Sequence, residues 1–190
     1  EPLTQDVSFV FHIEKTADVV VDSLTAEISG IPSTMELTTG LILAQKTYKL
    51  LFRPTYAALP SAADSASAET LRCEASVNIP GIVRSHTEDM VTGPGILQIA
   101  IYTHYDYEEE GTQRKAAKVF HAGINLYHTL KERKSLQWDE EENGYRQASR
   151  SITVEIGSPL NIDKDGILNG GSTSTGLDQW IPGETFEIEV

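Results

Sequence analysis

The chain has 190 residues, an apolar share of 39%, a charged share of 23% and a formal net charge of −13, the composition of a folded globular domain and not of a disordered segment. A surface this negative repels nucleic-acid phosphates and anionic lipid headgroups, so neither is expected as a partner. Cys73 is the only cysteine, which excludes an intrachain disulfide, and no stretch approaches the ~18 consecutive apolar residues of a membrane-spanning helix.

Glu1-Pro2-Leu3 carries no initiator Met, basic segment or apolar leader, so the chain reads as a trimmed mature protein or the later part of a longer precursor. One domain over residues 1–190 is expected, large enough to fold without disulfide or metal staples.

Apolar residues at every second position set one face of a strand on a core and the other in water. The pattern starts at Val7, Phe9, Phe11 and Ile13. Val19 and Val21 continue it, and Leu24, Ala26 and Ile28 resume it out of phase, which predicts a bulge at Asp22-Ser23. Gly30-Ile31-Pro32 and Thr39-Gly40 read as turns before a strand at Tyr48, Leu50 and Phe52. Residues 54–70, rich in Ala and Ser, read as a loop or a short helix. The clearest alternation is Leu71, Cys73, Ala75, Val77 and Ile79, closed by Pro80-Gly81. Gly93-Pro94-Gly95 then precedes Leu97, Ile99, Ile101 and Thr103.

Further along, Ile124, Leu126 and His128 alternate as a strand, and Leu130, Arg133 and Leu136 predict at most one short helix in the charged stretch 131–149. Ile152, Val154 and Ile156 form a strand before Gly157-Ser158-Pro159. A Gly/Ser/Thr lead at 170–176 reaches the last strand, Phe186, Ile188 and Val190, after Pro182-Gly183. About seven to nine strands joined by turns predict an all-β sandwich or barrel.

Chemistry-bearing patterns are sparse. His12, His86, His104, His121 and His128 lack H-x-x-x-H and H-E-x-x-H spacing, so isolated histidines are expected, with His104 and His121 the one pair that neighbouring strands would bring together. Asn161, Asp163 and Asp165 alternate before Gly166 like the first half of a calcium loop, but the twelfth position is Ser172 and not an acid. They are the only metal candidates, and an Asp-Gly turn is the favoured reading. Cys73 falls on the apolar face of its strand, where a buried, inert thiol is expected. The acidic runs 106–110 and 139–142 are the only glycosidase-like carboxylates, and solvated surface is the expected reading of both. There is no G-x-S-x-G elbow, so no catalytic residue and no cofactor are expected. Trp138 and Trp180 are candidates for stacking on a glycan, although packing near the end of a sandwich suits Trp180 better.

Four blocks carry a resemblance. LTAEISGIPSTMELTTG (Leu24–Gly40), TGPGILQIAI (Thr92–Ile101), INLYHTL (Ile124–Leu130) and GLDQWIPGETFEIEV (Gly176–Val190) are similar to blocks of the fimbrillin-like proteins of Bacteroidales. The resemblance implies a transthyretin-like Greek-key β-sandwich forming the C-terminal domain of an exported lipoprotein. It also implies anchoring at the outer membrane through an N-terminal lipid that would precede Glu1, a position Cys73 does not match. It further implies a fimbrial subunit, anchor or adhesion role at the cell surface, with other fimbrial or surface proteins, or glycans, as partners. Polymerising members are cut after an Arg to release an early strand; no such site is identifiable here, which favours an anchor-like or accessory role. Phe186, Ile188 and Val190 are the candidate groove-filling strand for assembly, against local pairing within their own domain.

Overall fold

A computed structural model of the chain describes residues 4–38, 40–60, 68–85, 92–139, 144–147, 150–167 and 180–188. Among the described residues are twelve strands and one short helix, more strands than the alternation alone predicts. In β1 (Gln5–Thr16) every odd-numbered residue is buried and every even-numbered one is partly or fully exposed. One such strand therefore commits one face to a core.

The next strand, β2 (Val19–Met35), stays continuous by bulging. Val21 pairs with Thr103 and Ser23 with Tyr102, so Asp22 is the extra residue predicted by the phase change. A second irregularity lies at Ser29-Gly30, where Ile28 pairs with Leu50 and Ile31 with Tyr48. The expected turn at Gly30-Ile31-Pro32 is thus a bulge inside one strand. Gly30 has a φ of 76°, a left-handed conformation that costs glycine nothing sterically.

Two more strands follow, β3 (Ile42–Phe52) and β4 (Thr55–Ala58). The latter falls in the stretch expected to be loop or helix, and residues 61–67 of that stretch lie outside the described residues. Then come β5 (Ala68–Ile79), β6 (Leu97–Glu109) and β7 (Thr112–Ile124). Between the last two, Glu110 and Gly111 take φ of 51° and 75°, the two-residue turn whose twist matches a hairpin.

The strand expected at Ile124, Leu126 and His128 ends at Ile124, and the helix arrives earlier than expected as α1 (Leu126–Glu132). The Asn125 side-chain oxygen accepts from the His128 N–H at 3.0 Å, which caps the first turn. Leu126 and Leu130, one turn apart, are both fully buried, so period four prevails over the short run of period two. Arg133 caps the helix, and Leu136 opens β8 (Leu136–Asp139), which pairs with β9 (Gly144–Gln147) as a separate ribbon.

The remaining strands, β10 (Ser151–Glu155), β11 (Leu160–Ile162) and β12 (Ile181–Ile188), complete two sheets. Sheet one runs β10-β1-β5-β4, with β11 also on β1; sheet two runs β12-β7-β6-β2-β3. The chain leaves sheet two after β3, makes the β4–β5 hairpin in sheet one, and returns to lay β6 beside β2. These crossings make the molecule an all-β sandwich, as expected. Strands β10 and β11 run parallel to β1; such pairing needs a long connection, and α1 with the ribbon lies along it.

Both sheets fill one core. Phe9 and Phe11 from β1 face Phe120, Ile99 and Ile101 from sheet two, all essentially inaccessible to solvent. Phe9 stacks on Phe52 across the sandwich at 5.9 Å.

One backbone crossing ties the end of this sandwich together. The Ser29 N–H donates to Ile96 O, Gly95 N–H to Ser29 O, Val83 N–H to Gly30 O and Tyr127 N–H to Gly95 O, at 2.8–3.0 Å. The Ser29 hydroxyl donates to Gly93 O at 2.5 Å and accepts from the Ile96 N–H at 3.2 Å. A Cβ on Gly30 would stand 2.5 Å from Gly95 N, and one on Gly95 would stand 2.8 Å from Val83 O and 2.9 Å from the Tyr127 Cβ. Gly30→Ala and Gly95→Ala should each lower the unfolding free energy by about 2–4 kcal/mol, the sum of a left-handed-φ penalty and overpacking. Urea titration reads this as a lower midpoint at unchanged slope. Gly157→Ala, whose Cβ would meet nothing within 4 Å, should stay within about 0.5 kcal/mol of the parent.

Candidate functional site

Among the described residues the side chains singled out above do not converge. His104 and His121 do sit on the neighbouring strands β6 and β7, but His104 pairs with Ala117 and His121 with Ala100. They therefore lie four residues apart along the same outer face, each with its own partner. The His104 Nδ1 is 2.8 Å and 2.9 Å from the two Asp22 carboxylate oxygens, at the β2 bulge. The same bulge receives Tyr56 from β4 in the opposite sheet, whose hydroxyl lies 3.0 Å from Val21 O and 3.1 Å from Asp22 O. The His121 ring meets Phe186 edge-on at 5.4 Å. His12 lies on the solvent-facing side of β1, His128 is buried in α1, and His86 lies outside the described residues. Among the described residues no group of three or more His, Cys, Asp or Glu side chains could hold a metal ion.

The calcium-like segment is closed on itself. Asp163 Oδ1 accepts from the N–H groups of Asp165 and Gly166 at 2.7 Å and 2.8 Å, and the Asp163 N–H donates to Gly166 O at 3.0 Å. That is the Asp-Gly turn geometry, with the carboxylate mimicking a backbone acceptor. Asn161 belongs to β11, and Ser172 lies outside the described residues. The ammonium of Lys118, a largely buried residue of β7, reaches over and donates to Lys164 O at 2.6 Å. It also lies 5.5 Å from the centroid of the Tyr105 ring. A cation belonging to the chain thus already stands on this turn and opposes a second one.

Trp180 is a core residue: it is 6% exposed and meets Phe11 edge-to-face at 5.3 Å. Neither of its faces is open for a sugar to stack on. Trp138 pairs with Tyr145 in the β8–β9 ribbon. The acidic run 106–110 is the end of β6 and its hairpin turn, and Glu109 there is ion-paired with Arg114 at 2.8 Å. Of the second acidic run, residues 140–142 lie outside the described residues.

The last strand, β12, pairs antiparallel with β7 in its own sheet, with Phe186 opposite Val119 and Ile188 opposite Ala117. Phe186 is half exposed, and Val190 lies outside the described residues. The glycine of Pro182-Gly183 is a close approach, since a Cβ there would stand 2.9 Å from the His121 Cβ.

Cys73 is fully buried in the core, and desolvation pushes its thiol up from 9.0 to about 12. An inert thiol follows, because only the thiolate is nucleophilic. Native protein at pH 8 should react with a disulfide reagent at least ~100-fold more slowly than urea-unfolded protein, because reaction then waits on opening. The folded state keeps this proton where the unfolded chain has lost it, so stability should fall as pH rises from 9 towards 12. A Cys73→Ala variant should lose that alkaline component.

Comparison with family models, with curated protein sequences and with solved structures finds no match to this chain.

Proposed function

We propose that this chain is a non-enzymatic, fimbria-associated module of the cell surface, acting as a structural or anchor component and binding other surface proteins. In this reading the intact protein is exported and held at the outer membrane by a lipid on a segment preceding Glu1. No helix among the described residues is long and apolar enough to cross a membrane.

One observation supports the reading: three of the blocks that resemble fimbrillin-like proteins meet at one place, together with Val83 from outside them. Ser29-Gly30 of the first block, Gly93-Pro94-Gly95-Ile96 of the second and Tyr127 of the third meet in the single crossing described above. The fourth block supplies Trp180 to the core and β12 to the edge of sheet two. Within this chain Ser29, Gly30 and Gly95 each have a steric or hydrogen-bonding role at that crossing.

Immunogold electron microscopy on intact cells that make the full-length protein tests this reading. Label on the outer surface, or along filaments projecting from it, is the expected result. Label that appears only after the cells are opened would overturn it.

A further inference from the structure

Among the described residues sheet one ends at β10, whose inner side faces β1. The Asp6 N–H donates to Arg150 O and the Ile156 N–H to Val10 O. Backbone groups alternate sides along a strand. Those of Ser151, Thr153 and Glu155 therefore turn to the open edge, where an added strand would pair.

That edge is occupied. Arg133, the residue that ends α1, sends its guanidinium along it, with Nη1 donating to Thr153 O at 3.1 Å and Nη2 to Glu155 O at 2.8 Å. The planar fork suits this task, because two donors fixed in one plane can span two carbonyls of the same strand edge. It fills two of the three acceptors an incoming strand would need and places a guanidinium group in its path. Charged groups at strand edges are a recurrent way of preventing edge-to-edge association.

We propose that Arg133 is an edge cap that keeps the β10 side of sheet one closed to strand pairing with a second copy of this chain. The inference is independent of the surface role above, since it rests only on where the open-edge carbonyls point and on what fills them.

Sedimentation equilibrium of the purified chain and its variants tests it. Arg133→Ala should raise the self-association constant by roughly tenfold or more over the parent, about what the loss of one charge-assisted hydrogen bond from the competing state implies. Adding Thr153→Pro should return association to the parent level. The Thr153 N–H faces away from β1, so proline there removes a donor the added strand needs and leaves the ladder to β1 intact. An Arg133→Ala protein that associates no more than the parent overturns the proposal, and so does association that survives Thr153→Pro. If Arg133→Ala fails to fold by circular dichroism, Arg133→Gln replaces it, and the same two outcomes decide.

Discussion

The structure depends on two polypeptide segments passing closer than any side chain allows. At Gly30 and Gly95 the backbone of β2 lies against the segment that feeds β6, with no room for a Cβ on either residue. The reward is a compact set of backbone hydrogen bonds at a point where four segments meet. Unpaired, the same buried groups would each cost about 1–3 kcal/mol. Glycine at these positions is therefore dictated by geometry, and the Ser29 hydroxyl completes the crossing by satisfying the neighbouring backbone.

Everything downstream inherits its position from that point. The β2 bulge at Gly30 lets β2 remain one strand while serving β3 on one side and β6 on the other. The Tyr127 N–H bond to Gly95 O fixes the start of α1, and α1 in turn delivers Arg133 to the β10 edge. At the Asp22 bulge of β2, Tyr56 from the edge strand of sheet one bonds the backbone of Val21 and Asp22, and His104 from the middle of sheet two bonds the Asp22 carboxylate. A long strand that bends at defined places is how this sandwich turns its sheets around a common core.

What the amino-acid order reveals depends on the distance over which a cause acts. The alternation of Val7, Phe9, Phe11 and Ile13 and the phase change at Asp22 are local, and both appear in the structure as read. The burial of Cys73 was legible for the same reason. Gly30-Ile31-Pro32 misleads, because glycine with proline marks a turn or a bulge alike, and only the partner strands decide between them. Ile124, Leu126 and His128 alternate by coincidence, and the helix wins through its Asn125 cap and the Leu126–Leu130 face. Lys118 on Lys164 O, Trp180 on Phe11 and Arg133 on β10 join residues remote in sequence, so no spacing rule announces them. As for chemistry, Asp163 was legible as a turn-former, and its bonds to Asp165 and Gly166 are those of a turn.

Native-state hydrogen exchange, followed residue by residue, bears most directly on the crossing. The amides of Ser29, Val83, Gly95 and Tyr127 should open only with global unfolding, at the same free energy as the central β6 amide of Ile101. Exchange of these four at a free energy about 2 kcal/mol or more below that of Ile101 would show that they open locally. The Gly30–Gly95 contact would then be an ornament of the fold and not the constraint on which it rests.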